Sequence, residues 1–265
     1  MTMPVKRLEL EKTAFFVCDM QKRLEPLILG HAQTLSAARA LVAAVVNHWR
    51  QPLLVTEQYP KAFQNTCAEV FEDLDDEKFE QNEDLCQLMC EKTDFSMVTD
   101  QTRNFVLAEL KHNRGIEAIV LCGWEAHVCV QQTCFDLLSL GLTVCVVEDA
   151  VSSQRKRDRA VALRQMQSSG AMVLTLEAVL FELMRSKEHH FFKEIQKLDV
   201  AHAKRVEGLA DKEMKASTKN NGTSTKTDSK GSNNAANGEA KDNKANGTAS
   251  KAEMSSGVSG LLPEE

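Results

Sequence analysis

Three residues of contrasting chemistry stand where apolar runs give out: Asp19 after FFVC, Lys92 after CQLMCE, and Cys129 shortly after AIVLCGWEAHV. A thiol attacks only as its thiolate. A carboxylate can take the thiol proton, and an ammonium can hold the charge that results. Such a trio suits acyl transfer, with attack on a carbonyl and departure of an amine. Taken singly, each residue also has a plain structural reading. Cys129 alone reads more readily as a buried packing thiol, and Lys92 alone as a solvated lysine. Asp19 serves equally well as an acidic cap on DMQKRL. What distinguishes them is where all three fall relative to the strands.

The runs TAFFVC (13–18), PLLVT (52–56), AIVLCG (118–123) and LTVCVVED (142–149) are apolar without alternation, as strands buried on both faces are. A shorter run, AMVLT, covers 171–175, and another strand is expected near Gln87–Cys90. Helical patterns lie between them, at Leu35–Trp49, Gln101–His112, Ala126–Leu140 and Arg155–Ser169. Gly115, Gly141 and Gly170 each follow a helical pattern, where a left-handed cap is expected. This alternation predicts an α/β fold, a three-layer α/β/α sandwich with a mostly parallel central sheet. Ligands bind such sheets beyond the carboxyl ends of the strands, where Asp19, Lys92 and Cys129 all stand. Cys129 also opens the helix CVQQTCFDLLSL, whose positive end favours a thiolate. The stretch 57–90 reads as a long excursion with short helices, and 176–205 as helical.

Composition divides the chain. No Phe, Trp or Tyr follows Phe192, and from Asp211 the sequence turns to Lys, Asn, Gly, Ser, Thr and Ala. Such a segment buries too little apolar surface to offset chain entropy. The expectation is a folded domain over 1–210 and a disordered low-complexity tail over 211–265. Lysines and acidic residues balance in the tail, so the net charge of -6 belongs to the folded part. That acidity disfavours nucleic acid as a partner. Among the eight cysteines, Cys18, Cys122 and Cys145 sit inside apolar runs, which suggests free thiols in a reducing compartment. MTMPVKRLELEKTAFF lacks the apolar core of a secretory signal, and no run approaches the ~20 residues of a membrane span. A cytoplasmic protein with no membrane association is expected.

The segments FFVCDMQ, EKTDFSM and GWEAHVCVQQT resemble, in order, the three catalytic blocks of the isochorismatase-like cysteine hydrolases, with similarity from about Thr13 to Met184. The resemblance implies Cys129 as nucleophile, Asp19 as general base, and Lys92 as the cation that holds the thiolate and orients the carboxylate. It also implies a non-proline cis peptide at Trp124–Glu125, which would turn the Glu125 and Cys129 amides into an oxyanion hole. Gln21, Tyr59, Phe95 and Trp124 are candidates for the substrate pocket. A small-molecule substrate and a homo-oligomer are further implications.

Departures from the family pattern narrow the chemistry. Nicotinamidases of the family hold a metal through an Asp and histidines after the second strand, where this chain reads TEQYPKAFQNT. Only Glu57 could serve there, so neither a metal nor another cofactor is expected. Isochorismatases proper cleave an enol ether and need no cysteine in the third block, so Cys129 favours amide or related C–N hydrolysis. GWEAHVCV and VTEQYPK most resemble the eukaryotic isochorismatase domain-containing proteins, a branch that supplies no substrate. A vestigial scaffold and a ribonuclease are the alternatives. His127 is expected to pack or face solvent, and His189 and His190 to lie on the surface. Cys86 and Cys90, spaced CxxxC without a second pair, make a poor zinc site.

Overall fold

Unalternating apolar runs can satisfy both their backbone and their side chains only between neighbouring strands and under helices on both faces. The computed structural model describes residues 6–80 and 86–221, and it builds from those runs one six-stranded sheet in the order β3-β2-β1-β4-β5-β6. The strands are β1 (Thr13–Cys18), β2 (Leu53–Gln58), β3 (Cys86–Lys92), β4 (Ala118–Trp124), β5 (Thr143–Ser152) and β6 (Met172–Leu174). Every pairing is parallel. All residues of the central strands β1 and β4 are buried.

Helix α1 (His31–Ala44) runs on through a π-helical turn, Val45–Trp49. The 57–90 excursion holds α2 (Pro60–Phe63), a 3-10 turn at Ala68–Phe71 and α3 (Asp76–Glu80) before β3. Helix α4 (Asp100–Asn104) begins at a Thr99 capping box and continues as π-helix over Phe105–Asn113. A π-helical turn, Ala126–Val130, leads into α5 (Gln131–Ser139). Then come α6 (Lys156–Ser168), α7 (Leu176–Met184) and α8 (Phe192–Asn221). Gly115, Gly141 and Gly170 have positive φ, as their capping positions demand.

Strand order dictates where helices lie. From β1 to β2 and from β2 to β3 the chain steps one way along the sheet; from β4 to β5 and β5 to β6 it steps the other. Parallel crossovers are right-handed, so opposite steps put their helices on opposite faces. α1 therefore covers one face, where α7 and α8 join it, while α5 and α6 cover the other. The direction reverses between β1 and β4. At that switch point the loops leave toward opposite faces and open a crevice.

At the same place the two central strands come unusually close. Gly123 near the end of β4 pairs with Cys18 at the end of β1. Its φ is +135°, and a Cβ built there would stand 2.1 Å from the Cys18 carbonyl oxygen and 2.7 Å from the Cys18 Cβ. Only glycine combines that backbone angle with that approach.

Helix α8 crosses the expected boundary at residue 211 and continues to Asn221; the rest of the expected tail lies outside the described residues. Its anchors come earlier. Ile195 is fully buried, His202 shares a hydrogen bond with Ser36 Oγ at 3.0 Å, and Arg205 Nε donates to the same oxygen at 2.9 Å.

Two stability measurements follow. Gly123→Ala adds backbone strain to a backbone clash and should cost about 3 kcal/mol. For a domain of this size that is a fall of roughly 6–12 °C in melting temperature; a shift within the scatter of replicate scans would contradict the close approach. Deleting 222–265 should move the melting temperature by less than about 2 °C, and a larger fall would mean that the tail supports the domain.

Candidate active site

Asp19 is the first residue beyond β1 and sits at φ 50, a left-handed conformation that Asp tolerates better than most residues. Its amide donates to the Thr56 carbonyl at 3.2 Å and its carbonyl accepts from Gln21 N at 2.9 Å, so the kink is held on both sides. The carboxylate is 1 % exposed. Its Oδ1 accepts from Thr56 Oγ1 at 2.8 Å, and its Oδ2 from Lys92 Nζ at 2.7 Å and from the Cys18 thiol at 3.5 Å.

Lys92 closes β3 in register with Gln58 of β2, and its side chain is 1 % exposed. Nζ lies within hydrogen-bonding distance of four acceptors: Asp19 Oδ2 at 2.7 Å, Gln58 Oε1 at 2.7 Å, and the carbonyls of Asp94 at 3.0 Å and Phe95 at 2.9 Å. An ammonium has only three hydrogens, so none is left over. Lys92 is therefore no solvated lysine. Burial works to lower its pKa, but Cys18, Asp19 and Cys129 outweigh burial and hold it above 10.5.

Cys129 lies in the π-helical turn ahead of α5 and is 7 % exposed. Its carbonyl accepts from Thr133 Oγ1 at 2.6 Å, and that oxygen accepts from Met97 N at 2.9 Å. Thr133 thereby ties the turn that bears Cys129 to the segment that follows Lys92. Burial, the contact with Cys129 and the Asp19 carboxylate push the Cys18 thiol well above its ordinary value, against the pull of Lys92. The other thiols stand apart from this cluster. Burial pushes Cys67, Cys122, Cys134 and Cys145 up to about 12. Cys90 is half-buried and also raised, while the Cys86 side chain lies outside the described residues.

Several expectations need correction. The Trp124–Glu125 peptide is trans; the described chain has no cis bond, and the turn out of β4 is taken up by Gly123 at φ 135. Convergence of the Glu125 and Cys129 amides thus has no cis peptide behind it. Trp124 is fully buried, and its indole donates to Thr34 Oγ1 at 2.9 Å, so it fills core rather than lining a pocket. Gln21 is buried too. Its amide donates to the carbonyls of Gln58 and Gln64 and accepts from Gln58 N, which locks the end of β1 to that of β2 and leaves no donor for a substrate.

Tyr59 and Phe95 are 44 % and 51 % exposed. Tyr59 lines a cavity of about 330 Å³ with Pro60, Lys92, Thr99 and the acidic Glu91, Asp94 and Asp100. The Glu125 carboxylate accepts from Gln154 Nε2 at 2.7 Å and faces His127, which shares a hydrogen bond with Ser153 at 3.1 Å. Glu57 is buried and accepts from Thr66 N, Thr66 Oγ1 and Asn65 Nδ2. His189 Nδ1 accepts from Phe191 N at 3.2 Å. No group of three or more metal-binding side chains occurs among the described residues.

Sequence reasoning passed over Cys18, Thr56, Gln58 and Thr133. A register argument could have found the first three. Cys18 pairs with Thr56 beside Asp19, and Gln58 pairs with Lys92, so they occupy the ends of the strands that carry the charges.

Removing one partner of a buried ion pair leaves the other charge uncompensated and costs about 3–5 kcal/mol. Lys92→Met should therefore destabilise the protein by that order at neutral pH. The sign of the pH dependence follows from the raised pKa. Stability owed to Lys92 is fully present below about 10.5 and is lost as pH rises through its folded value. The deficit of Lys92→Met, followed by urea unfolding, should stay constant from pH 7 to about 10 and shrink above that. A deficit that grew with alkalinity would contradict the assignment.

Comparison with known proteins places these features in a family. The isochorismatase domain matches residues 13–178, which takes in Asp19, Lys92 and Cys129. Isochorismatase domain-containing protein 1 of Salmo salar is 40% identical over 195 residues, 72% of this chain and 62% of that protein, so the match spans less than two thirds of that relative. Isochorismatase family protein 1B of Dictyostelium discoideum is 35% identical over 208 residues, 78% of this chain and 94% of that protein. Among solved structures, MAR1 ribonuclease from Caenorhabditis elegans matches with a TM-score of 0.64 and 36% identity over 73% of this chain and 92% of that one. With the whole sheet from β1 to β6 and the three strand-end residues inside the matched region, this chain belongs to the isochorismatase family.

Proposed function

We propose that this chain is a cysteine-dependent hydrolase of a small amide or related C–N substrate, working through a thioester on Cys129. The observation that carries this reading is the buried Asp19–Lys92 pair at the switch point of the sheet, where β4 leads into the turn that bears Cys129. Asp19 takes the Cys129 proton and the thiolate attacks the carbonyl carbon. Backbone amides around the turn hold the oxyanion, and Asp19 returns the proton to the departing amine. Water activated by the same carboxylate then hydrolyses the thioester, freeing the acid and restoring the thiol. No step calls on a metal or other cofactor.

Lys92 and Thr56 suit Asp19 to this work by fixing one carboxylate oxygen each. The charge of Lys92 favours the thiolate without spending a hydrogen on it. The likeness to a structure named as a ribonuclease favours a second reading, RNA cleavage by the same residues. The acidic lining of the cavity beside Lys92 speaks for a small substrate, because phosphates would meet Glu91, Asp94 and Asp100. A scaffold with vestigial catalysis is disfavoured by the intact trio. A homo-oligomer belongs to the reading on family resemblance alone.

Screening small amides, ureides and carbamates alongside single-stranded RNA decides between the readings. Cys129→Ala should lower turnover of any substrate found by at least about a thousandfold; turnover that survived the change would remove Cys129 from the mechanism. Labelling reaches the same residue without a substrate. Limiting iodoacetamide near pH 7 should modify Cys129 ahead of Cys67, Cys122, Cys134 and Cys145, whose thiols burial holds near 12. Lys92→Met should slow that labelling. Modification of Cys67 first, with Cys129 intact, would overturn the nucleophile.

A further inference from the structure

Helix α8 carries a glycine that the fold does not call for. Gly208 lies in the body of the helix, where glycine is the poorest former after proline. It has no positive φ, and a Cβ built on it would meet nothing within 4 Å. Neither a left-handed backbone nor a close approach requires it, the two reasons that hold for Gly123.

What the missing side chain leaves is space. Gly208 borders an open cavity of about 400 Å³ where α8 meets α1 and the 3-10 turns Glu25–Leu27 and Ala68–Phe71, a volume of the size that small ligands fill. Lys204, Gly208 and Lys212 stand four residues apart and so share one stripe of the helix, the two lysines about 12 Å apart along its axis with the gap between them. Arg205 and Leu209 form the adjoining stripe, and Leu35 lines the cavity from α1.

Every charge on the α8 wall of this cavity is positive, while its two carboxylates, Glu25 and Glu69, belong to the 3-10 turns. Glu25 has His31 Nδ1 3.3 Å away, and Arg39 is taken by Glu72 and Asp73. Lys204 and Lys212 have no ion-pair partner among the described residues. Arg205 is only partly matched. Its Nε donates to Ser36 Oγ at 2.9 Å and its Nη1 stands 3.6 Å from Asp73, but Nη2 is buried with no hydrogen-bond partner. A buried donor without an acceptor is costly, so an oxygen brought to this guanidinium gains more than it would at an exposed arginine.

We propose that the cavity binds a small amphipathic anion, its sulfonate, phosphate or carboxylate head held over Gly208 by Lys204, Arg205 and Lys212 and its apolar body packed against Leu35 and Leu209. Long lysine stems let both ammonium groups converge on one head group across the gap. Any side chain at position 208 would stand where that head group sits, which gives the glycine its reason. Such a ligand bridges α8 to α1. The reading of Cys129 plays no part in it.

The test titrates the full-length protein with 8-anilinonaphthalene-1-sulfonate, an apolar body with one fixed negative charge, and follows its fluorescence. The expected result is saturable binding that Gly208→Leu weakens at least about tenfold and that Lys204→Gln and Lys212→Gln each weaken about threefold. N-phenyl-1-naphthylamine, the same body without the charge, should bind about tenfold more weakly than the sulfonate. Leucine is the better helix former and enters open space, so the melting temperature of Gly208→Leu should not fall, and its lost binding then reports a filled cavity. Should that variant fail to fold, the double variant Lys204→Gln, Lys212→Gln decides, since both changes lie on the surface. Dye binding that is unchanged in these variants, that never saturates, or that the uncharged body matches would overturn the proposal.

Discussion

A lysine ammonium and a carboxylate, both removed from water, form the contact on which the rest of the site depends. Taking either charge out of solvent costs several kcal/mol, and attraction between the two repays this only when their remaining hydrogen-bonding capacity is also met. Here it is met on both sides. Thr56 and Cys18 complete Asp19, while Gln58 and the carbonyls of Asp94 and Phe95 complete Lys92. The partners come from the ends of β1, β2 and β3 and from the segment after β3. Bringing them together therefore requires the sheet to have formed in register, so this site is an outcome of the whole fold and not of one loop.

The topology explains why Cys129 arrives from elsewhere. Because the strand order reverses between β1 and β4, Asp19 and the turn bearing Cys129 leave adjacent strands toward opposite layers. Asp19 and Cys129 are thus set on separate supports. Gly123 lets β4 approach Cys18 closely, and Thr133 fixes the turn against the segment that carries Met97.

Much of this was legible in the sequence. Unbroken apolar runs ending on Asp19 and in GWEAHVCV marked buried parallel strands, and the strand-end rule pointed to the edge of the sheet where Asp19 and Lys92 meet. The excursion 57–90 took the expected form of short helices leading into a strand. What stayed hidden depends on register and side-chain partners, which a single chain's pattern does not encode. Gln21 looked like a pocket residue because it is polar and near Asp19, yet its amide is consumed by backbone at Gln58 and Gln64. Trp124 looked available because it adjoins the turn that bears Cys129, but its indole points to α1, where Thr34 receives it. The reach of α8 past residue 211 was masked because Lys, Ala and Met suit a helix as readily as a polar tail.

The surplus of acceptors around Lys92 bears on motion. Four oxygens compete for three hydrogens, so at every instant one contact lacks its proton, and rotation of the ammonium about its Cε–Nζ bond passes the shortage from one oxygen to the next. A group that turns in this way, with its side chain 1 % exposed, is slow to trade hydrogens with water. Its protons stay on the nitrogen long enough to give a distinct magnetic-resonance signal, where a surface lysine's would be lost to exchange. The same signal would report on Cys129, because any event that alters charge there changes the field in which that small rotor turns.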